Sequence, residues 1–261
     1  MAHLNSNAIF HLSARSFLVA ALPAAVVALF IPSAYRDYQS FLALGPGGPP
    51  YNLLGWLLVK LVFNPFSREM FRTEIYERKI DAGETSSLLE DLPKRQGERP
   101  KLGTFAAPQR QTDQWPSREI RDKLRAEYSA FLTRNAHLVD RVPSTLERYT
   151  DAAHVGAHIP LTPVGRQMKR EICHLHGTSD HSLHVTLAPA DCKRVIESGW
   201  GQRFPLSGSS LLRNITFGRV AAIPNEYVYI YAPRDGEEIQ TVIRILGAGV
   251  QYVTGSRDVR L

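Results

Sequence analysis

The chain has 261 residues, 44% of them hydrophobic and 21% charged, with a formal net charge of +6. That is enough for one sizeable domain with appendages or for two small ones. The basic residues are scattered and no nucleic-acid motif is present, so nucleic acid is not an expected partner; attraction to an anionic membrane surface is the expected consequence of the charge.

Two cysteines, Cys173 and Cys192, give neither a disulfide framework nor a zinc spacing. No phosphate loop occurs, no G-x-G-x-x-G lies between a strand and a helix, and no G-x-S-x-G elbow is present, so neither a nucleotide cofactor nor an elbow-type serine nucleophile is expected.

In chain order, residues 16–34 (SFLVAALPAAVVALFIPSA) carry no charge, with Arg15 before them and Arg36 and Asp37 after. The run approaches the roughly 20 apolar residues that a helix needs to cross a bilayer, and Pro23 is tolerable within it. Residues 1–40 are therefore expected to be an N-terminal membrane anchor. The protein would then be single-pass, in the endoplasmic reticulum or another endomembrane. A cleaved signal peptide ending near Ser33 and Ala34 is the alternative.

Residues 45–50 (GPGGPP) break the chain. The following YNLLGWLLVKLVF is too short to span and reads as a headgroup-level helix, with Tyr51 and Trp56 at the interface, or as a core helix. From 64 to 116 the composition turns polar and is punctuated by Pro and Gly. Residues 41–115 are thus expected to hold an interfacial helix and an extended linker or strap.

Residues 116–261 read as an α+β domain. Pro116 and Ser117 open a helix whose stripe is Ile120, Leu124, Tyr128, Phe131 and Leu132. Residues 136–160 alternate weakly and suggest irregular strand. Then four of the nine histidines fall together: His174, His176, His181 and His184. On an extended backbone alternate residues share a face, so His174 and His176 point one way. The next strand places Leu183, Val185 and Leu187 on one face and Ser182, His184 and Thr186 on the other. Pro189 begins a helix and Gly199 ends it.

Trp200, Arg203 and Phe204 open a long loop over 201–224 that is suited to a lid or wall. In EYVYIY, Tyr227, Tyr229 and Tyr231 share a face opposite Val228 and Ile230. Asp235 and Glu238 form a capping box for a final helix with the stripe Ile239, Val242, Ile243, Leu246 and Val250. The expected fold is α+β: a small antiparallel sheet with helices packed on one face, its His/Tyr face partly open, preceded by a transmembrane helix.

REICHLH, LHVTLAP, GWGQRFPLSG and YIYAPRDGEE, together with YRDYQSFLALGPGGPP and EDLPKRQGERP upstream, resemble the fungal luciferase family across nearly the whole chain. The likeness also runs directly out of the 16–34 segment through Tyr35 and Asp37, which favours a retained anchor. The interval from Gly208 to Tyr227 is longer than in light-emitting members and the residues after His176 differ, two departures that bear on light emission and not on membership.

The resemblance implies an oxidoreductase, a cofactor-independent oxygenase. Its partners would be O2 and a hydroxylated aromatic pyrone such as 3-hydroxyhispidin, and its products would include carbon dioxide and light. No metal or organic cofactor is implied.

Spacing adds the roles. A neutral imidazole, His176 or His184, would take the enol proton, with His174 orienting or stabilising the anion. Trp200 and Tyr229 would stack on the pyrone, Arg203 would balance its charge, and Tyr231 shares their wall. Two alternatives remain: a non-catalytic small-molecule-binding protein of the same fold, or a zinc or ferrous-iron site on the three imidazoles, for which no distant carboxylate partner is evident.

Overall fold

The computed structural model describes residues 30–219 and 222–261. The chain divides into two compact units, Met1–Ser40 and Phe41–Leu261. The second contains both the polar segment to residue 115 and everything after it.

The expected membrane span is corrected. Among the described residues no helix is long and apolar enough to cross a membrane. Residues 16–29 of the expected span, and with them most of the signal-peptide alternative, lie outside the described residues. The described remainder belongs to a helix over 30–43 that carries Arg36 and Asp37, and such charges end an apolar run. The single-pass topology and the endomembrane location that depended on it are withdrawn.

The centre of the second unit is a six-stranded sheet in the order β1-β2-β3-β4-β6-β5. The strands are β1 Val139–Pro143, β2 Asp151–Val155, β3 Glu171–Leu175, β4 Leu183–Thr186, β5 Gly201–Arg203 and β6 Tyr227–Ile230. Every pairing is antiparallel. Four helices matter for the packing: α1 Glu74–Asp81, α2 Arg118–Arg134, α3 Pro189–Glu197 and α4 Gly236–Thr254. The α+β architecture expected from the pattern is the one observed.

Local sequence explains the helix ends. The Ser117 hydroxyl accepts the Ile120 N–H and starts α2. Asp235 accepts the Glu238 N–H and starts α4. The reciprocal half of the expected capping box is replaced: Glu238 accepts the Arg234 N–H and also pairs with the Arg95 guanidinium. Gly255, at φ 73°, closes α4 in the left-handed conformation.

One face of the sheet meets α2 and α4. Cys173, Leu175, Leu183, Val185, Val228 and Ile230 pack there with Leu124, Phe131, Val242 and Leu246 in one apolar core. Each aliphatic side chain buried in this way contributes about 1.5–3 kcal/mol. Gly249 lets α4 lie against β4, because a Cβ there would strike Val185 and the Thr186 carbonyl.

The opposite face was expected to lie partly open beneath the 201–224 loop. Instead the segment before α2 straps across it. Arg68 N–H donates to the Pro205 carbonyl, Arg203 N–H to Met70, and Arg95 N–H to Ser198. Further along, the Gln111 N–H reaches the Asp180 carboxylate at 2.7 Å. As a result β3, β4 and β6 are buried along their whole length. The polar, Pro-punctuated composition leaves linker and strap open because its partners are backbone groups and buried side chains far along the chain.

Candidate active site: three imidazoles beneath a strap

Register brings the imidazoles together. His174 pairs with His184 across β3 and β4, and His184 pairs with Tyr229 across β4 and β6, so all three stand in one row on one face. His176 follows β3 by one residue, and its N–H is held by the Ser182 carbonyl. Ring centroids lie 5.1 Å apart for His174 and His176, 5.3 Å for His174 and His184, and 5.1 Å for His176 and His184.

A β-bulge supplies the fourth member of the cluster. The pairing of β2 with β3 shifts between Ala153 and His154, so that His154 faces Glu171. In regular alternation Glu171 would share the core face with Cys173. The extra residue turns Ile172 into the core and Glu171 toward the imidazoles. The Glu171 carboxylate then accepts from His174 Nδ1 at 2.8 Å, from the Thr145 N–H at 2.8 Å and from the Ser144 hydroxyl at 2.7 Å. Burial alone would raise its pKa, but the nearby His154 ring, 3.6 Å away, and the hydrogen bond from His174 hold it well below the usual carboxylate range.

His176 is oriented from the other side. Its Nδ1 lies 2.8 Å from the Ser182 hydroxyl, which donates to Asp180 at 2.7 Å. Asp180 is fully buried and also accepts the Tyr229 hydroxyl at 2.6 Å. The fourth histidine of the cluster in sequence, His181, sits at φ 62° and turns away to Arg125 at 3.0 Å.

His184 stacks on Tyr227, with centroids 4.7 Å apart and planes at 7°, and meets the Phe204 ring edge-on. Its Nδ1 is buried and has no hydrogen-bond partner among the described residues. Burial pushes the pKa of His184 well below that of an ordinary imidazole, and the neighbouring His176, His174 and Arg110 push the same way. Burial also lowers His176, reinforced by Arg110. Both rings are therefore held neutral.

A cleft of about 140 Å³ opens against this wall, lined among others by His174, His184, Tyr227, Phe204, Arg110 and Glu147. That is close to the roughly 150 Å³ at which an engineered apolar cavity admits a benzene ring. His176 stands behind the two lining imidazoles. Arg110 forms a buried ion pair with Glu147. Burial raises the Glu147 carboxyl even though Arg110 opposes the shift.

The structure places the other expected binding residues away from this cleft. Trp200 packs in the core, its indole N–H bonded to the Pro93 carbonyl at 2.6 Å. Arg203 bonds the Glu69 carbonyl and lies over the Tyr76 ring. Tyr229 is tied to Asp180, and the Tyr231 hydroxyl donates to Gln202 at 2.9 Å.

Arg110 and Glu147, which do line the cleft, lie in irregular segments and carry no local pattern. Tyr227 was visible only as the first member of the tyrosine stripe.

The luciferase-domain family model matches residues 169–249, from just before β3 into α4. A luciferase of Neonothopanus nambi is 33% identical over 93% of this chain and 90% of its own length. A luciferase of Armillaria mellea is 32% identical over 94% and 91% respectively. The chain belongs to the fungal luciferase family. A further member, from Armillaria gallica, is 34% identical over 91% of this chain and 88% of its own. No solved structure matches.

Within this luciferase-family chain the matched domain contributes all three imidazoles and the Tyr227 wall. Arg110 and Glu147 come from outside it, so the cleft is completed by the strap and by the turn between β1 and β2.

Proposed function

We propose that this protein is an oxygenase that oxidises a hydroxylated pyrone, of the 3-hydroxyhispidin type, with molecular oxygen. The observation that supports it most is His184: a buried, neutral imidazole on the cleft wall with a ring nitrogen that has no hydrogen-bond partner among the described residues. Such a nitrogen can accept the proton of an acidic enol. Tyr227 and Phe204 offer aromatic surface to a flat ring, and Arg110 places positive charge beside the developing anion.

Chemically, the enol O–H proton passes to His184. The resulting anion supplies both electrons of a new carbon–oxygen bond to O2, and the distal oxygen carries the negative charge. A cleft walled by apolar side chains limits water, which would otherwise protonate or quench these species. His174, fixed by Glu171, and His176, fixed through Ser182 by Asp180, keep the wall rigid.

The test is to add 3-hydroxyhispidin to the purified chain and follow oxygen uptake, substrate loss and light together. Oxygen uptake with substrate loss supports the reading, with or without light. Binding without consumption of either reactant would make the protein a carrier of the same fold and overturn it.

A further inference from the structure

We propose that His174, His176 and His184 bind one divalent transition-metal ion, with the Glu147 carboxylate as a fourth ligand. The ligating nitrogens of the three imidazoles lie within 4.8 Å of one another and all three residues are buried.

Hydrogen-bond directions carry the inference. Glu171 also receives the Thr145 N–H and the Ser144 and Thr145 hydroxyls, so it acts as an acceptor toward His174 and His174 Nδ1 must carry a proton. Asp180 receives the Gln111 N–H and the Tyr229 and Ser182 hydroxyls. The Ser182 proton is thereby committed, so its oxygen accepts from His176 Nδ1, which is also protonated.

With Nδ1 engaged in both rings, Nε2 is the nitrogen left to face a ligand. These two nitrogens face each other at 3.2 Å. An ion beside both would be held by one nitrogen from each ring.

The spacing suits a metal. Two nitrogens bound at about 2.1 Å to one tetrahedral or octahedral ion stand roughly 3.0–3.4 Å apart. A third imidazole, His184, brings one ring nitrogen within 4.8 Å of the ligating nitrogens of the other two. Glu147 Oε2 lies 3.8 Å from His176 Nε2, so a small turn of that carboxylate brings it to the same point. Histidine ligands are commonly oriented by a second hydrogen bond to a carboxylate; here Glu171 serves His174 directly and Asp180 serves His176 through Ser182.

The donors are three nitrogens and an oxygen with no thiolate. That set suits Zn²⁺, Fe²⁺, Co²⁺ or Mn²⁺ rather than soft ions. A single proton shared between the two Nε2 atoms is the competing arrangement, and it engages neither His184 nor Glu147.

The test uses the full chain, purified without a histidine tag and stripped with a chelator. Co²⁺ is titrated in and followed by its visible absorption, and Zn²⁺ is titrated calorimetrically. One ion per chain is expected, with a cobalt spectrum of nitrogen and oxygen ligation. Glu171→Gln, which keeps the ring in place but weakens its orientation, should reduce affinity by about 10–100-fold. His184→Gln, checked for native circular dichroism, should change the cobalt spectrum.

Absence of saturable binding by the wild-type chain overturns the site. So does binding that neither substitution alters. Oxygen uptake by the stripped chain is read separately, so absence of metal binding in a protein that still consumes substrate would sink this site and leave the oxygenase reading standing.

Discussion

The Tyr229 hydroxyl donates to Asp180 Oδ2 at 2.6 Å, and that same oxygen receives the Gln111 backbone N–H of the strap at 2.7 Å. One buried carboxylate thus ties β6, the turn before β4 and the covering strap behind His176. Tyr229 is a positioning residue in this arrangement. Tyr229→Phe should cost about 1–3 kcal/mol in urea unfolding, since a buried acceptor loses a donor. It should lower kcat while leaving KM for the pyrone nearly unchanged; a rise in KM alone would return Tyr229 to the cleft wall.

Removing His184 tests the proton-transfer step itself. His184→Ala should reduce oxygen uptake by about 10²–10⁴-fold, the range a general base supplies. The control is Trp200→Phe, which alters the core behind α3 and should affect the unfolding midpoint without moving KM. Equal effects of the two substitutions on turnover would mean that His184 has no special part.

The Arg110–Glu147 pair is buried on both sides. Arg110→Met leaves an ionisable carboxyl without its partner and should destabilise by about 3–5 kcal/mol, whereas Arg110→Met with Glu147→Leu should recover much of that loss. Chemical denaturation of the single and double variants provides the comparison.

Both thiols are buried and unpaired. Burial pushes Cys173 up to about 12, and Cys192 well above its usual value. The reactive thiolate is therefore scarce at neutral pH and, if the fold holds, should stay scarce through mildly alkaline pH, rising only as pH approaches the raised pKa. A thiol reagent should label neither cysteine in the native chain at pH 8 and both in denaturant. Fast native labelling of Cys173 would show that β3 is not closed beneath α2 and α4.

Period-two alternation in 171–176, 182–187 and 226–231, together with helical spacing after Ser117 and Asp235, determined an antiparallel α+β domain with imidazoles and tyrosines on one sheet face. These are local signals, because the side-chain period of a strand or helix is a property of its own backbone. The motifs around His174, His176 and His184 likewise sufficed to indicate the family.

Only the tertiary structure decided which of those residues meet a cavity. Register across β3, β4 and β6 brought His174 and His184 to the wall with Tyr227, while Tyr229 and Tyr231 were engaged by Asp180 and Gln202. A bulge of one residue turned Glu171 to the imidazoles against its place in the alternation. Arg110 and Glu147 arrive from segments with no periodicity, 37 positions apart in the chain, and become partners only when the strap closes. Pairing between distant backbones is set by the free energy of the whole assembled face, which no window of neighbouring residues contains.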